Sequence, residues 1–322
     1  MNDMKIVDMH CDTLLVLRMT GKNLDNIGGH INVEKLRRGG SLLQCFAIYT
    51  PVEAEAKVYR LSESPWDYFN FVADLYDKQL ELCSGDIAPM RSMADLRQNM
   101  QQGKISSMLT LEDCICLEGD MSRLDRLFER GVRMASITWN YENSLAYPNS
   151  SVPEAHAKGL KNFGFDVVER MNELGMVIDV SHLSEGGFYD VAGHSRKPFV
   201  ASHSCARALC DHSRNLTDHQ LRTLADCGGV CGINFYSAFL SPEAEFSKNE
   251  DILRHMEYVM NKAGIESVAL GSDFDGITCG LELEDYSGMA KLSDLIADRF
   301  GFDAAEKILS GNALRVFEEV LK

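Results

Sequence analysis

The chain lacks any apolar run of the roughly 18 residues that a membrane-spanning helix needs, and no signal peptide precedes Met4. Its last residues, Glu318-Glu319-Val320-Leu321-Lys322, carry no lipid-anchor signal. Basic charge is scarce: 32 Lys and Arg stand against 48 Asp and Glu, a formal net charge of -16. A nucleic-acid surface needs clustered basic charge, so that class is excluded. Paired zinc-ribbon cysteines are also missing, because Cys114-x-Cys116 is too tight and no second pair lies at ribbon distance. The ten cysteines fall at irregular spacing, many in apolar runs, and read as free thiols of a reducing compartment. Low-complexity tracts and interdomain linkers are absent. The expectation is a cytoplasmic protein with no membrane and no nucleic-acid partner.

What is present is ample apolar material, 45% of 322 residues, enough for one large core. Eight short apolar runs read as strands: residues 5–10, 42–49, 106–111, 133–138, 176–181, 198–202, 229–234 and 267–271. Most are continuous rather than alternating, as in strands buried on both faces. Amphipathic stretches separate them, including 66–83, 124–130, 164–174, 217–227, 250–263, 292–300 and 304–321, with Thr217 placed to cap its helix. Alternation of this kind means parallel βα units. It predicts an α/β fold with residues 1–322 as a single (β/α)8 TIM-like barrel domain. An open doubly wound sheet is the alternative.

Barrel enzymes carry their chemistry at the C-terminal ends of the strands. The first run ends at His10-Cys11-Asp12, where residues two apart in a strand project together. The third ends at Glu112, the fifth at His182, the sixth at His203 and the eighth at Asp273. Three imidazoles and three carboxylates on one rim suit divalent metal. One zinc needs only three protein ligands, so six candidates allow two ions, with Glu112 as the natural bridge between them. Tyr236, after the seventh run, faces the same rim, either as a substrate contact or as loop packing. His156 is a lesser candidate for the pocket. His30, His194, His212, His219 and His255 read as structural, as do Asp113 and Asp179.

Taken together, Asp8-Met9-His10-Cys11-Asp12-Thr13, Leu111-Glu112-Asp113, Ile178-Asp179-Val180-Ser181-His182, Ala201-Ser202-His203-Ser204, Ser213-Arg214-Asn215-Leu216 and Gly271-Ser272-Asp273-Phe274-Asp275-Gly276 resemble the membrane (renal) dipeptidase family of zinc metallopeptidases. The resemblance covers nearly the whole chain and extends to Gly311-Asn312-Ala313-Leu314-Arg315-Val316-Phe317. It implies that His10 and Asp12 bind one Zn2+, that His182 and His203 bind a second, and that Glu112 bridges them. It also implies that Asp273 handles protons, that Arg214 binds a small dipeptide substrate, and that the chain forms a homodimer. The peptide bond would be cut by a metal-bridging hydroxide, in substrates that include D-residue C-termini.

One position departs from the family. Its well-known members carry a His after a Thr at the fourth strand end, where this chain reads Ser136-Ile137-Thr138-Trp139-Asn140. Indole has one N–H donor and cannot titrate or accept. Oxyanion stabilisation is then expected from Trp139, from Asn140 or Asn143, or from the metal ions. An unreplaced donor costs roughly 10²–10³ in rate. Two other readings stay open: a related amidohydrolase acting on another amide or lactone, and a metal-binding barrel without turnover.

Overall fold

The computed structural model describes residues 4–242 and 245–322. Eight parallel strands form its sheet: β1 (Ile6–Asp8), β2 (Ser41–Tyr49), β3 (Ile105–Glu112), β4 (Val132–Ser136), β5 (Val177–Asp179), β6 (Val200–Ser204), β7 (Val230–Ile233) and β8 (Val268–Leu270). Each pairs with the next, and β8 pairs back onto β1, so the sheet closes into a (β/α)8 barrel. Closure excludes the open doubly wound sheet. All eight runs expected from the sequence are strands, most within one or two residues at each end. A ninth strand of this sheet, Ile87–Pro89, is too short to show a period. It shares an edge of β3 with β4, taking the half that begins at Ile105 while β4 pairs from Leu109 onward.

Two apolar layers hold the barrel. Phe46, Ile48, Leu109 and Leu111 belong to the layer between strands and helices. Val7, Leu43, Cys45, Met108, Met134, Val177, Val200 and Val230 fill the interior. Met108 faces inward, so the two-residue period of a strand puts Thr110 and Glu112 inward as well, with Glu112 at the open end. In the first segment the alternation slips. Val7 and Met9 pack in the interior but Cys11 packs outside, which leaves both His10 and Asp12 facing the lumen. The strand itself ends at Asp8, short of the predicted His10.

The opposite end of the barrel is plugged by the closing helix. The expected single helix over 304–321 is instead Phe302–Glu306, a π turn over Lys307–Gly311, and Asn312–Val320. The Asn312 amide donates to the carbonyls of Ile265 and Val268, both at 2.7 Å, and Arg315 donates to the Gly228 carbonyl at 2.7 Å. Those carbonyls lie where β7 and β8 begin, so Ala313, Val316, Phe317 and Val320 seal the interior layer from below. Thr217 caps its helix as expected, with Gln220 completing a reciprocal pair. No helix among the described residues is long and apolar enough to cross a membrane.

Phe317 is fully buried at this seal. Its replacement by Ala is expected to destabilise the fold by about 3–5 kcal/mol. Urea unfolding would show this as a lowered midpoint with an unchanged slope.

Candidate metal centre

Glu112 lies between two groups of donor atoms. Its Oε1 is 3.0 Å from His182 Nε2 and 3.5 Å from His203 Nε2. Its Oε2 is 3.7 Å from His10 Nε2. Around His10 Nε2 also stand Asp12 Oδ2 at 3.5 Å and Asp273 Oδ1 at 3.9 Å. His10, Asp12, Glu112, His182 and His203 are buried; Asp273 is partly open to the cavity above.

Neighbouring side chains set the imidazole tautomers. The Asp179 carboxylate accepts the Ser202 hydroxyl at 2.5 Å, and Ser202 Oγ in turn accepts His203 Nδ1–H at 2.8 Å. Asn140 Oδ1 accepts His182 Nδ1–H at 3.0 Å. Both Nε2 atoms are thereby left with bare lone pairs, only 3.0 Å apart and both facing Glu112 Oε1. With Glu112 ionised, three electron-pair donors stand together with no hydrogen among them, an arrangement that calls for a cation. On the other side of Glu112, His10 Nε2 and Asp12 Oδ1 are buried without hydrogen-bond partners. A divalent ion there would satisfy both. The donor set fits metal on each side of Glu112.

The backbone is bent to reach this geometry. His182 and Asp273 adopt left-handed conformations, with φ of 68° and 63°, which costs a side-chain-bearing residue about 1–2 kcal/mol. The His182 carbonyl accepts from Asn149 N at 2.7 Å and Thr138 Oγ1 at 3.3 Å, and Asn234 Nδ2 donates to Asp273 Oδ2 at 2.8 Å. Gly276 closes the site: a Cβ there would lie 2.1 Å from Asp12 Oδ2 and 2.6 Å from Asp273 Oδ1. Above the centre is a cavity of about 340 Å³ whose lining includes Tyr49, Glu55, Trp139 and Tyr236. A second lobe of about 540 Å³ holds Arg214, His212 and Ser213, and shares Asn140, His182, Tyr236 and Phe239 with the first.

The whole chain, residues 1–322, matches the family described as membrane dipeptidase, peptidase family M19. The chain belongs to that family. It is 33% identical over 309 residues to a dipeptidase of Aspergillus oryzae, covering 92% of this chain and 71% of that one. It is 38% identical over 237 residues to an uncharacterized Klebsiella pneumoniae protein from the region 5′ of pqqA, covering 71% of this chain and 87% of that one. Among solved structures, a family M19 metallopeptidase described as dipeptidase AC superposes with a TM-score of 0.90 at 25% identity over 99% of each chain. A Rhodobacter sphaeroides metallopeptidase, liganded with a phosphinate mimic of the dipeptide L-Ala-D-Ala, gives 0.89 at 25% identity, covering 99% of this chain and 100% of that one. The protein is thus a metallodipeptidase, a hydrolase of peptide bonds.

Within this M19 dipeptidase the sequence-derived candidates divide clearly. His10, Asp12, Glu112, His182, His203 and Asp273 meet at one centre. Arg214 is buried nearby, donating to the His203 carbonyl at 3.3 Å, with its Nε unpaired. Trp139 packs edge-on against Tyr49 with ring centroids 4.8 Å apart. Asn140 reaches His182, as described. Tyr236 lines both lobes and packs edge-on against Phe239. Asn143 is not available to a substrate, because Asp113, the Ile137 carbonyl and the amides of Leu145 and Ala146 use its whole side chain. His156 is buried outside the cavity, accepting from Ser150 N. Asp275 is held by Thr13 Oγ1 and His30 N rather than facing the centre. Sequence reasoning missed the pairing of Asp8 with Ser272, which mirrors that of Asp179 with Ser202. It also missed Tyr49, the final residue of β2, and the Asn234 that holds Asp273.

Electrostatics without metal follow from burial and charge. Burial pulls His10 down, but the Glu112 and Asp12 carboxylates outweigh it and push it up to about 10. Burial holds His182 and His203 well below the usual imidazole range, reinforced by the charges of Arg214 and His10. Burial and Asp12 raise Glu112 well above the carboxylate range. Asp273 is pushed up to about 7 by burial, with His10 opposing.

At pH 8 the metal-free His10 is therefore protonated, and an arriving cation must expel that proton. Apparent metal affinity is expected to rise with pH up to about 10, as a chelator competition between pH 7 and 9 would show. Replacing Asp179 with Asn presents an N–H to Ser202, which turns the Ser202 hydroxyl toward His203 Nδ1 and moves the ring proton to Nε2. Metal affinity in the same assay is expected to fall about 10–100-fold, with folding retained.

Proposed function

We propose that the enzyme uses two zinc ions and hydrolyses dipeptides that include those ending in a D-residue. The observation that carries the two-ion reading is the divided carboxylate of Glu112, one oxygen toward His182 and His203, the other toward His10. His10 and Asp12 would hold one ion, His182 and His203 the other. Imidazole with carboxylate is a donor set suited to zinc. The D-residue reading is supported by the L-Ala-D-Ala mimic bound to the Rhodobacter sphaeroides relative.

When bound, zinc lowers the pKa of water toward about 7 and polarises a carbonyl oxygen. The remaining tasks fall to the chain. Asp273 has one oxygen fixed by Asn234 and the other turned to the centre. It accepts the proton of the attacking water and passes it to the leaving amine. Arg214, buried beside the second lobe with its Nε free, binds the terminal carboxylate of the substrate. Trp139 and Tyr236 wall the reacting region. Trp139 offers one N–H donor where the family's familiar members have a titratable imidazole.

Metal-stripped protein is expected to cleave nothing in a panel of L-L and L-D dipeptides, and to recover turnover with close to two zinc ions per chain. Two bound ions with no dipeptide turnover would shift the reading to another amide or a lactone. Asp273→Asn is expected to lower kcat by about 10²–10⁴ while retaining both ions, measured by steady-state kinetics beside metal analysis.

A further inference from the structure

The main cavity is lined by carboxylates with different commitments. Asp12, Glu112 and Asp273 belong to the candidate metal centre, and Asp275 is held by Thr13 and His30. Glu55, on the short helix Glu53–Val58, lines the same cavity, yet its Oε2 is buried with no hydrogen-bond partner. Tyr49 stands in the same wall. It pairs in register with Glu112 across β2 and β3, is 7% exposed, and its hydroxyl also has no partner. Burial, then the charges of Glu112 and Glu55, push the phenol up, so the hydroxyl keeps its proton. A buried carboxylate oxygen and a buried hydroxyl left unmatched are costly, unless a ligand matches them.

The two lobes differ in charge. Among the described residues, no Lys or Arg lines the lobe with Glu55, and no Asp or Glu lines the lobe with Arg214. The side chains common to both, such as Asn140 and His182, lie beside the candidate metal centre. A zwitterion spanning that centre has one favourable orientation, with its carboxylate toward Arg214 and its cation toward Glu55.

We propose that Glu55 and Tyr49 form a subsite for an ammonium group on the amino-terminal side of the scissile bond, Glu55 supplying the charge and the Tyr49 oxygen a hydrogen-bond acceptor. The inference rests on the dipeptidase reading. It makes the free amino terminus of the substrate a recognised group, and Glu55 a specificity residue outside the metal centre.

The test uses the zinc-loaded enzyme with L-Ala-L-Ala, its Nα-acetyl form and Nα-acetyl-L-Lys-L-Ala. Wild type is expected to favour the free dipeptide over its acetyl form by about tenfold to hundredfold in kcat/KM, the scale of one charge-assisted hydrogen bond. In Glu55→Gln that preference is expected to collapse, through KM rather than kcat, with metal content unchanged. Tyr49→Phe is expected to reduce it in the same direction, and carries the test if the first variant misfolds. If Glu55 dependence appears only with the acetylated lysyl substrate, the subsite takes a side-chain ammonium, and its assignment to the free amino terminus is overturned. Unchanged KM values and an unchanged ratio for every substrate in both variants would overturn it. A wild-type enzyme that takes up zinc but cleaves none of the three would sink the dipeptidase reading, and the subsite with it.

Discussion

Everything at the open end of this barrel depends on one buried carboxylate placed among lone pairs. Glu112 divides its oxygens between two imidazoles on one side and a third on the other. In a low-dielectric interior such an arrangement is unfavourable for the protein alone. Its carboxyl is driven well up by burial, and His10 is held as a cation by the surrounding carboxylates. The metal-free site therefore holds protons where metal belongs. The same atoms that burden the folded chain are what make cation binding favourable.

The barrel supplies the force that keeps those donors together. Aliphatic and sulfur side chains fill the lower interior, and the closing helix seals it with Phe317 and Val320. Above that layer the strands hand over to polar side chains. Asp8 binds both the amide and the hydroxyl of Ser272, and Asp179 does the same for Ser202. Each carboxylate ties neighbouring strands together close to a metal-facing residue, so the site's geometry and the barrel's closure share the same bonds. Left-handed backbone at His182 and Asp273 persists because partners fix the His182 carbonyl and the Asp273 carboxylate.

Much of this was legible in the sequence because it rests on local order. Buried parallel strands read as apolar runs, and the rim residues follow directly from where the runs stop, as Glu112 follows Leu111 and His203 follows Ser202. What was not legible depends on contacts between distant segments. The slip that turns His10 inward comes from packing of Met9 and Cys11 on opposite sides of the sheet. Asn140 and Asn143 are three residues apart and chemically alike, yet one reaches His182 and the other is consumed by its own loop. The closing helix contains a π turn that periodicity does not reveal. Tyr49 looked like the end of a buried strand, and only the three-dimensional cavity shows its hydroxyl without a partner.

On the proposed reading, Glu112 bridges two cations. Crystals grown with zinc and measured on both sides of its absorption edge would locate both ions. Two anomalous peaks roughly 3.5–4 Å apart are expected, one beside His10 and Asp12, the other beside His182 and His203, with a Glu112 oxygen toward each. A single peak, or two peaks of which one does not touch Glu112, would contradict that reading.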